Sequence, residues 1–403
     1  MQVLIYMKNY DVVVVGGGPV GGFVAKFLAK KQYSIAILEE HEIIGKPLKC
    51  AGLVSPRVFD IVPFSNTQIV ENTIKGAHIH SPSGVILTIG GDKKHAVAIN
   101  RPLFDQKILD EAIKAGAHLQ LKTKVIDAKK EKNSISLTTK NKKQKSALRS
   151  SIVIGADGPH STIRKIFNFP KPKEYLKGIG ALVENTVLDH NFVEIFLGKD
   201  MAPGFFAWAI PINKQGTKAR IGLCVDDASR FSIKKCFQNL LEQPTLKDAK
   251  ILSSSGGMIP LGPLKKTTSS NILLVGDAAG QVKPTSGGGI YTGLVSAKNC
   301  SNVALNALKK NDFSDQILKE YQTSWTDEIG RELTFGMKFR KIYKKLDDKQ
   351  IDKYIIKLKE HKNIELLNKY GDIDFPSKLV FPLLKKNPSF LKILPTALKI
   401  KIK

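Results

Sequence analysis

Cysteine, tryptophan and acidic residues are all scarce in this chain. Its 403 residues include four cysteines, Cys50, Cys224, Cys236 and Cys300, and two tryptophans. The cysteines form no CxxC pair and no framework of close spacings. That excludes a disulfide-stapled scaffold and predicts a reducing, cytoplasmic setting. The histidines make no HExxH and no Cys/His cluster, so no metal site is expected. No apolar run reaches the roughly 18 to 20 residues that span a bilayer. Membrane contact, if the protein makes it, is expected to be peripheral. Met1 to Tyr6 is short and runs directly into a strand-like segment, so no signal peptide is expected, and Met7 is an alternative start. There is no internal repeat.

The shortage of acid is the largest departure. There are 36 Asp and Glu against 63 Lys and Arg, a formal charge of +27. Such a surface attracts nucleic acid, anionic lipid or a phosphorylated substrate, although the lysines are also scattered as a general lysine bias would place them. No basic run is interleaved with aromatics as in a single-strand groove, so no nucleic-acid partner is expected. Hydrophobic content of 42% is that of a globular protein, and the length suffices for two or three layered domains.

Against these absences stands one dense stretch, Asn9 to Glu40. An apolar run, Asp11 to Val15, leads into Gly16, Gly18 and Gly21 with GxGxxG spacing; a helical run, Gly22 to Lys31, and a second strand, Ser34 to Leu38, follow. This is the βαβ pattern of dinucleotide binding. Gly16 allows the tight turn, Gly18 lets the backbone approach a pyrophosphate, and Gly21 allows close helix–strand packing. The helix start offers free N–H groups to the phosphates. Glu39 ends the second strand, where its carboxylate can accept both ribose hydroxyls.

The punctuated segment His41 to Ser55 is too long for a simple connection and reads as a functional loop. Short alternating strands fill Lys75 to Ile99, a helix Phe104 to Ala115, and further strands Leu119 to Ala128 and Ser134 to Thr139. Ser151 to Arg164 repeats the strand–turn–helix pattern around Gly155, Asp157 and Gly158. Tyr175 to Val225 is β-rich, Asp226 to Glu242 helical, and Ile251 to Ile259 strand again. A third buried strand, Ile272 to Val275, feeds GDAAGQVKPTSGGGIYTG and a helix to about Leu308. We therefore expect an α/β fold: a Rossmann-like nucleotide domain over 9–175 and 261–311, an inserted antiparallel β-sheet substrate domain over 176–260, and a helical region over 312–403. The tail from Pro376 carries seven lysines and no acid, interleaved with apolar residues.

Three glycine-and-acid turns at three strand ends, around Gly16, Asp157 and Asp277, resemble the FAD enzymes with the p-hydroxybenzoate hydroxylase fold. The resemblance covers about residues 9 to 311. It implies FAD as cofactor, with Gly16, Gly18, Val20, Gly21 and Glu39 on the ADP half and the backbone of Val125 against adenine. Asp157 falls in the Asp-Gly motif, and Asp277 is implied as ligand of a ribityl hydroxyl. Arg101 in NRPLFD matches a flavin-contacting Arg. Gly287, Gly288 and Gly289 precede the helix from Ile290. Glycines permit close backbone approach to the ring, and free N–H groups at a helix start can stabilise a reduced flavin anion.

Two further stretches narrow the branch. KPLKCAGLVS resembles the PxxCxG loop of geranylgeranyl reductases, which implies Cys50, Ala51 and Leu53 at the cofactor. PGFFAWAIP resembles their aromatic-x-Trp-x-Phe-Pro motif, with Ile210 departing from the usual Phe. GDIDFP, Gly371 to Pro376, and the triple glycine also resemble archaeal digeranylgeranylglycerophospholipid reductases. The implied chemistry is saturation of isolated prenyl double bonds of a prenylated glycerophospholipid in archaeal lipid biosynthesis. Phe205, Phe206 and Trp208 are channel candidates. Cys50 is the candidate proton donor or gate, although a lone cysteine is also an ordinary small hydrophobe. NADPH or a ferredoxin is the expected electron donor, and the basic tail suggests an anionic membrane surface at the inner face of the cell membrane. The alternatives are a flavin monooxygenase or halogenase, a geranylgeranyl-diphosphate or chlorophyll-type reductase, and a non-enzymatic FAD-stabilised lipid-binding module.

Overall fold

The computed structural model describes residues 8–48, 50–62, 64–65, 67–142, 144–226 and 232–386. An eight-stranded sheet carries the nucleotide fold. At its centre lies the strand Lys8–Val15, flanked in parallel by Gln144–Gly155 and Ile35–Leu38. Further parallel strands, Ile272–Leu274 and His118–Gln120, continue outward on either side. Val12, Val13 and Val14 are fully buried because both faces of the strand are covered, which is why the run is apolar without alternation. Each such side chain contributes about 1.5–3 kcal/mol. On one face pack the helices Pro19–Ala29, Arg101–Lys114 and Ile290–Lys310. Asn100 starts the second of these by accepting the Leu103 N–H at 3.1 Å. Gln144–Gly155 is long enough to serve twice: its first half pairs antiparallel with Ile135–Asn141, its second half parallel with the central strand.

The second sheet has seven strands. Lys250–Leu261, Glu174–Glu184, Lys218–Asp226, Ala207–Pro211 and Phe192–Phe196 pair antiparallel in that order. The expected boundary needs correction here. Gly76–His80 and Ile86–Gly90, assigned from sequence to the nucleotide domain, complete this sheet, and Gly76–His80 joins Phe192–Phe196 in parallel. The sheet is therefore mixed, and two separated stretches of chain build it. A hairpin fixes its own partner strand, but the pairing of its outer edge is a long-range contact that periodicity does not encode. A small third sheet joins Leu53–Val54, Ala96–Ile99 and Val70–Ile74.

The expected helical region follows: Asp315–Trp325, Arg331–Tyr343, Asp348–Leu358, His361–Tyr370 and Ser377–Lys386. Asp347 and Gln350 form a reciprocal capping box at the start of Asp348–Leu358. Ile351 and Ile355 of that helix bury against Leu87 of the seven-stranded sheet. No helix among the described residues is long and apolar enough to cross a membrane. The basic tail is described to Lys386; its remainder, 387–403, lies outside the described residues.

Candidate functional site

The glycine turn is built for close approach. Gly16 has φ +108°, and a Cβ there would lie 2.3 Å from the Ala156 carbonyl oxygen. At Gly21 a Cβ would meet the Gly16 carbonyl oxygen at 2.1 Å. Gly18, the N-cap of Pro19–Ala29, has nothing within 4 Å on its open side, so the helix start faces free space with no acid in its first turn. Glu39 accepts the Gly17 N–H at 2.7 Å through Oε2 and the His41 N–H at 2.9 Å through Oε1. His41 Nδ1 also lies 2.5 Å from Oε1, so the lone pair left for a ribose hydroxyl is on Oε2. Asp157 accepts the N–H groups of Thr162 and Ile163 at 2.6 and 3.1 Å through Oδ2, holding the start of Thr162–Ile166. Its Oδ1 is buried without a partner. Burial pushes its pKa up, opposed by those hydrogen bonds. Val20 packs over Gly276 and Gly293, and Val125 is buried at the start of Lys124–Lys130, beside the same cavity.

Asp277 lies in the turn Gly276–Ala279 that ends the third strand. Burial raises its carboxyl to about 6, against the pull of the Arg101 charge. Arg101 is clamped by Asp105 through Nε at 3.2 Å and Nη2 at 2.9 Å. Burial works against the guanidinium charge, but Asp105 and then Cys50 outweigh it and raise the Arg101 pKa. Cys50 is half-buried, its Sγ accepting the Gly52 N–H at 3.4 Å. Gly52 has φ +71°, and a Cβ there would meet Arg220 Nη1 at 2.6 Å and the Ile99 carbonyl oxygen at 2.7 Å. Arg220 donates to that same carbonyl at 2.9 Å and to that of Ala51 at 3.4 Å, and pairs with Glu71, pinning the cysteine loop to the seven-stranded sheet. Gly289 caps the helix from Ile290, and a Cβ on it would sit 3.0 Å from Asp277 Oδ1.

From this junction the cavity continues as an apolar channel, and the whole measures about 1870 Å³. Ala51 and Leu53 line it beside Cys50. Phe205 stacks on Phe206 with centroids 4.4 Å apart, and Phe206 meets Trp208 edge-on at 6.1 Å. Tyr343 donates to the Phe205 carbonyl at 2.7 Å, and Arg340 to that of Gly204 at 2.6 Å. Beyond the aromatics the walls are the inner face of the seven-stranded sheet, including Ile79, Leu87 and Ile195, and the C-terminal helices, including Phe339, Ile355 and Leu384. Sequence reasoning missed these walls. It also missed Asp105, although the i, i+4 spacing of Arg101 and Asp105 on a helix was a usable signal.

All the residues expected from sequence to touch cofactor or channel border this single cavity, except Gly21, which packs beneath the Gly16 turn. The glycine cradle, the orphaned Asp157 oxygen and the buried Asp277 carboxylate fit a dinucleotide that extends into the channel. A family model for the FAD binding domain matches residues 9–329, which places the protein in the class of FAD-binding proteins. Within that class the chain belongs to the digeranylgeranylglycerophospholipid reductase family. It is 32% identical to the digeranylgeranylglycerophospholipid reductase of Methanocaldococcus jannaschii, over 95% of this chain and 97% of that one. It is 34% identical to a protein of the same organism described as uncharacterized, over 94% and 95% of the two chains. The crystal structure of a geranylgeranyl bacteriochlorophyll reductase-like protein of Thermoplasma acidophilum shares the fold: TM-score 0.87 at 23% identity, covering 97% of this chain and 100% of that one.

Proposed function

We propose that the protein is an FAD-dependent reductase that saturates isolated prenyl double bonds in the geranylgeranyl chains of a digeranylgeranylglycerophospholipid. The observation that carries this reading is the continuity of the cavity: a dinucleotide cradle opens directly into a long apolar channel. An isolated alkene has no electron sink, so alignment and dryness must come from the protein. Reduced FAD supplies a hydride for one alkene carbon, and a proton must reach the other. Gly288 and Gly289 would let the backbone come close to a bound flavin ring, which the free N–H groups at the helix start at Ile290 would help to hold. Asp105 holds Arg101 in one orientation, where it would contact the flavin. The aromatic group Phe205, Phe206 and Trp208 excludes water and packs against the prenyl chain. Cys50, beside Arg101, is the group from which Sγ can hold or gate the proton.

The phosphorylated head of such a lipid and the excess of Lys suit an anionic bilayer surface. Phe339, Ile356 and Phe381, on three of the C-terminal helices, are 46%, 55% and 58% exposed. Lys378, Lys385 and Lys386 share a helix with Phe381. Each lysine near such a leaflet is worth about 1 kcal/mol. We read the protein as peripheral on the inner face of the cell membrane, reduced there by NADPH or a ferredoxin. Co-sedimentation with anionic liposomes at low salt tests this; protein left entirely in the supernatant would reject it.

The decisive experiment is anaerobic: protein reduced with dithionite is given digeranylgeranylglyceryl phosphate, and added hydrogens are counted by mass spectrometry. A gain of hydrogen pairs is expected. No gain would remove the reading, and turnover only with oxygen would favour a monooxygenase or halogenase. Phe206 already counts against the halogenase branch, whose similar motif has Trp at that position. Turnover of free geranylgeranyl diphosphate alone would point to that sister activity, and bound FAD without turnover to a lipid-binding module.

A further inference from the structure

The segment Gly371 to Pro376 marks the family branch, but the reaction as described gives it no task. The structure supplies one. Lys283 lies between the Asp277 turn and the triple glycine, and its side chain is buried. Its main chain curls the glycine loop: the Lys283 N–H donates to the Gly288 carbonyl at 3.1 Å, and its carbonyl accepts the Gly287 N–H at 2.8 Å. Its side chain presses on the same loop, with Cε 3.1 Å from where a Gly288 Cβ would stand. The ammonium, 3.5 Å from that same position, binds the C-terminal region. Nζ donates to Asp374 Oδ1 at 2.8 Å and to the Ile373 carbonyl at 3.1 Å.

The Asp374 side chain is fully buried, and its other oxygen accepts from Arg57 Nη1 at 3.0 Å. Arg57 also grips Asp372 through both guanidinium ends, at 2.8 and 2.9 Å. Arg57 stands on the segment that follows the Cys50 loop, and Asp372 and Ile373 line the channel, as do Lys283 and the three glycines. One charge cluster, buried at Lys283 and Asp374 and part-exposed at Arg57, thus ties together the flavin-edge loop, the approach to Cys50 and the channel wall. A buried ion pair resists separation, because either partner left alone keeps an uncompensated charge. Displacing the wall around Ile373 must therefore displace Lys283, and with it the glycines.

We propose that Lys283 and Asp374 are positioning residues that couple occupancy of the apolar channel to the backbone at the flavin edge. The inference rests on the reductase reading above. Its test uses the full FAD-loaded chain and a ligand that cannot be reduced, diphytanylglyceryl phosphate in detergent. Flavin absorbance and midpoint potential are followed as this saturated lipid is added. In the wild-type protein, lipid is expected to shift both. In Lys283→Met and Asp374→Asn the shift is expected to fall by about tenfold at saturating lipid, with FAD still bound; Lys283→Arg is expected to restore part of it. A full wild-type response in both variants overturns the proposal. Should either variant lose FAD, Lys283→Arg and Asp374→Glu keep the charges and change only the reach. At least part of the wild-type response is then expected in that pair, and its complete loss in both overturns the proposal. A wild-type protein that hydrogenates the prenyl lipid yet shows no lipid-dependent flavin change refutes the coupling and leaves the reductase reading standing. A protein that neither binds nor reduces the lipid refutes that reading first.

Discussion

The two ends of the cavity are made by opposite means. The dinucleotide end consists of short contiguous motifs at the ends of neighbouring parallel strands, where backbone N–H groups and glycines form the surface. The channel end consists of side chains drawn from Ala77 to Leu384, on a sheet and on helices far apart in sequence. One end tolerates almost no added atom; the other is defined by how much space side chains leave. Substitutions should therefore separate cofactor binding from substrate turnover.

The largest expected effect is at the dinucleotide end. Gly16→Ala places a Cβ 2.3 Å from a carbonyl oxygen in a left-handed backbone conformation, and Gly21→Ala one at 2.1 Å. Both oxygens sit one residue beyond buried parallel strands, which leaves them little room to retreat. Both variants should purify without flavin, which absorbance near the flavin bands would show directly. At the channel end, Ile195→Trp should leave the flavin in place and cut kcat/KM for a geranylgeranyl lipid by about a hundredfold, near 3 kcal/mol, by filling the passage. If the same variant lost FAD, the two ends would not be separable as described.

Asp277 sharpens the comparison through pH. Its buried carboxyl titrates at about 6, above the ordinary 3.8. The flavin-free native state therefore binds the proton more tightly than the unfolded chain. Stability should fall as pH rises from about 4 through 6, by roughly 3 kcal/mol when complete. Asp277→Asn should abolish that dependence, matching the wild type below pH 4 and exceeding it above pH 6 in flavin-free protein, while weakening FAD retention. Thermal melting across this range, with and without FAD, measures both arms. The smallest effect is expected for Tyr343→Phe, which removes one hydrogen bond to the Phe205 carbonyl and should cost about 1 kcal/mol with a modest rise in KM for lipid.

The same contrast explains what could be read from sequence. The run Val12 to Val15, the glycines after it and the GDAA turn are local, and each carries its geometric reason within a few residues, so the FAD-binding α/β fold was legible. Asp157 shows a limit even there: the motif locates the residue, but not that one oxygen holds a helix start while the other lies unpaired. The channel was legible only at Phe205, Phe206 and Trp208. Leu87 and Ile195 alternate in strands, and Ile355 repeats at helical spacing, as they would in a solid core. Whether such residues fill a space or border one depends on what packs opposite them, which periodicity does not contain. The strands at 76–90 were misplaced for the same reason, since their sheet partner lies more than one domain's worth of motifs away.

That parallel pairing of Gly76–His80 with Phe192–Phe196 also has a consequence for how the chain is made. Emerging from the ribosome, the hairpin Gly76–Gly90 has no sheet to join until the strand at 192–196 has followed it out. Its apolar face, including Ile79, Leu87 and Ile89, stays open over that interval, and the helix Asp348–Leu358 that covers it arrives later still. The channel end should therefore be the last part of the molecule to acquire its native shape, and the part most exposed to wrong pairing or chaperone capture while synthesis is under way.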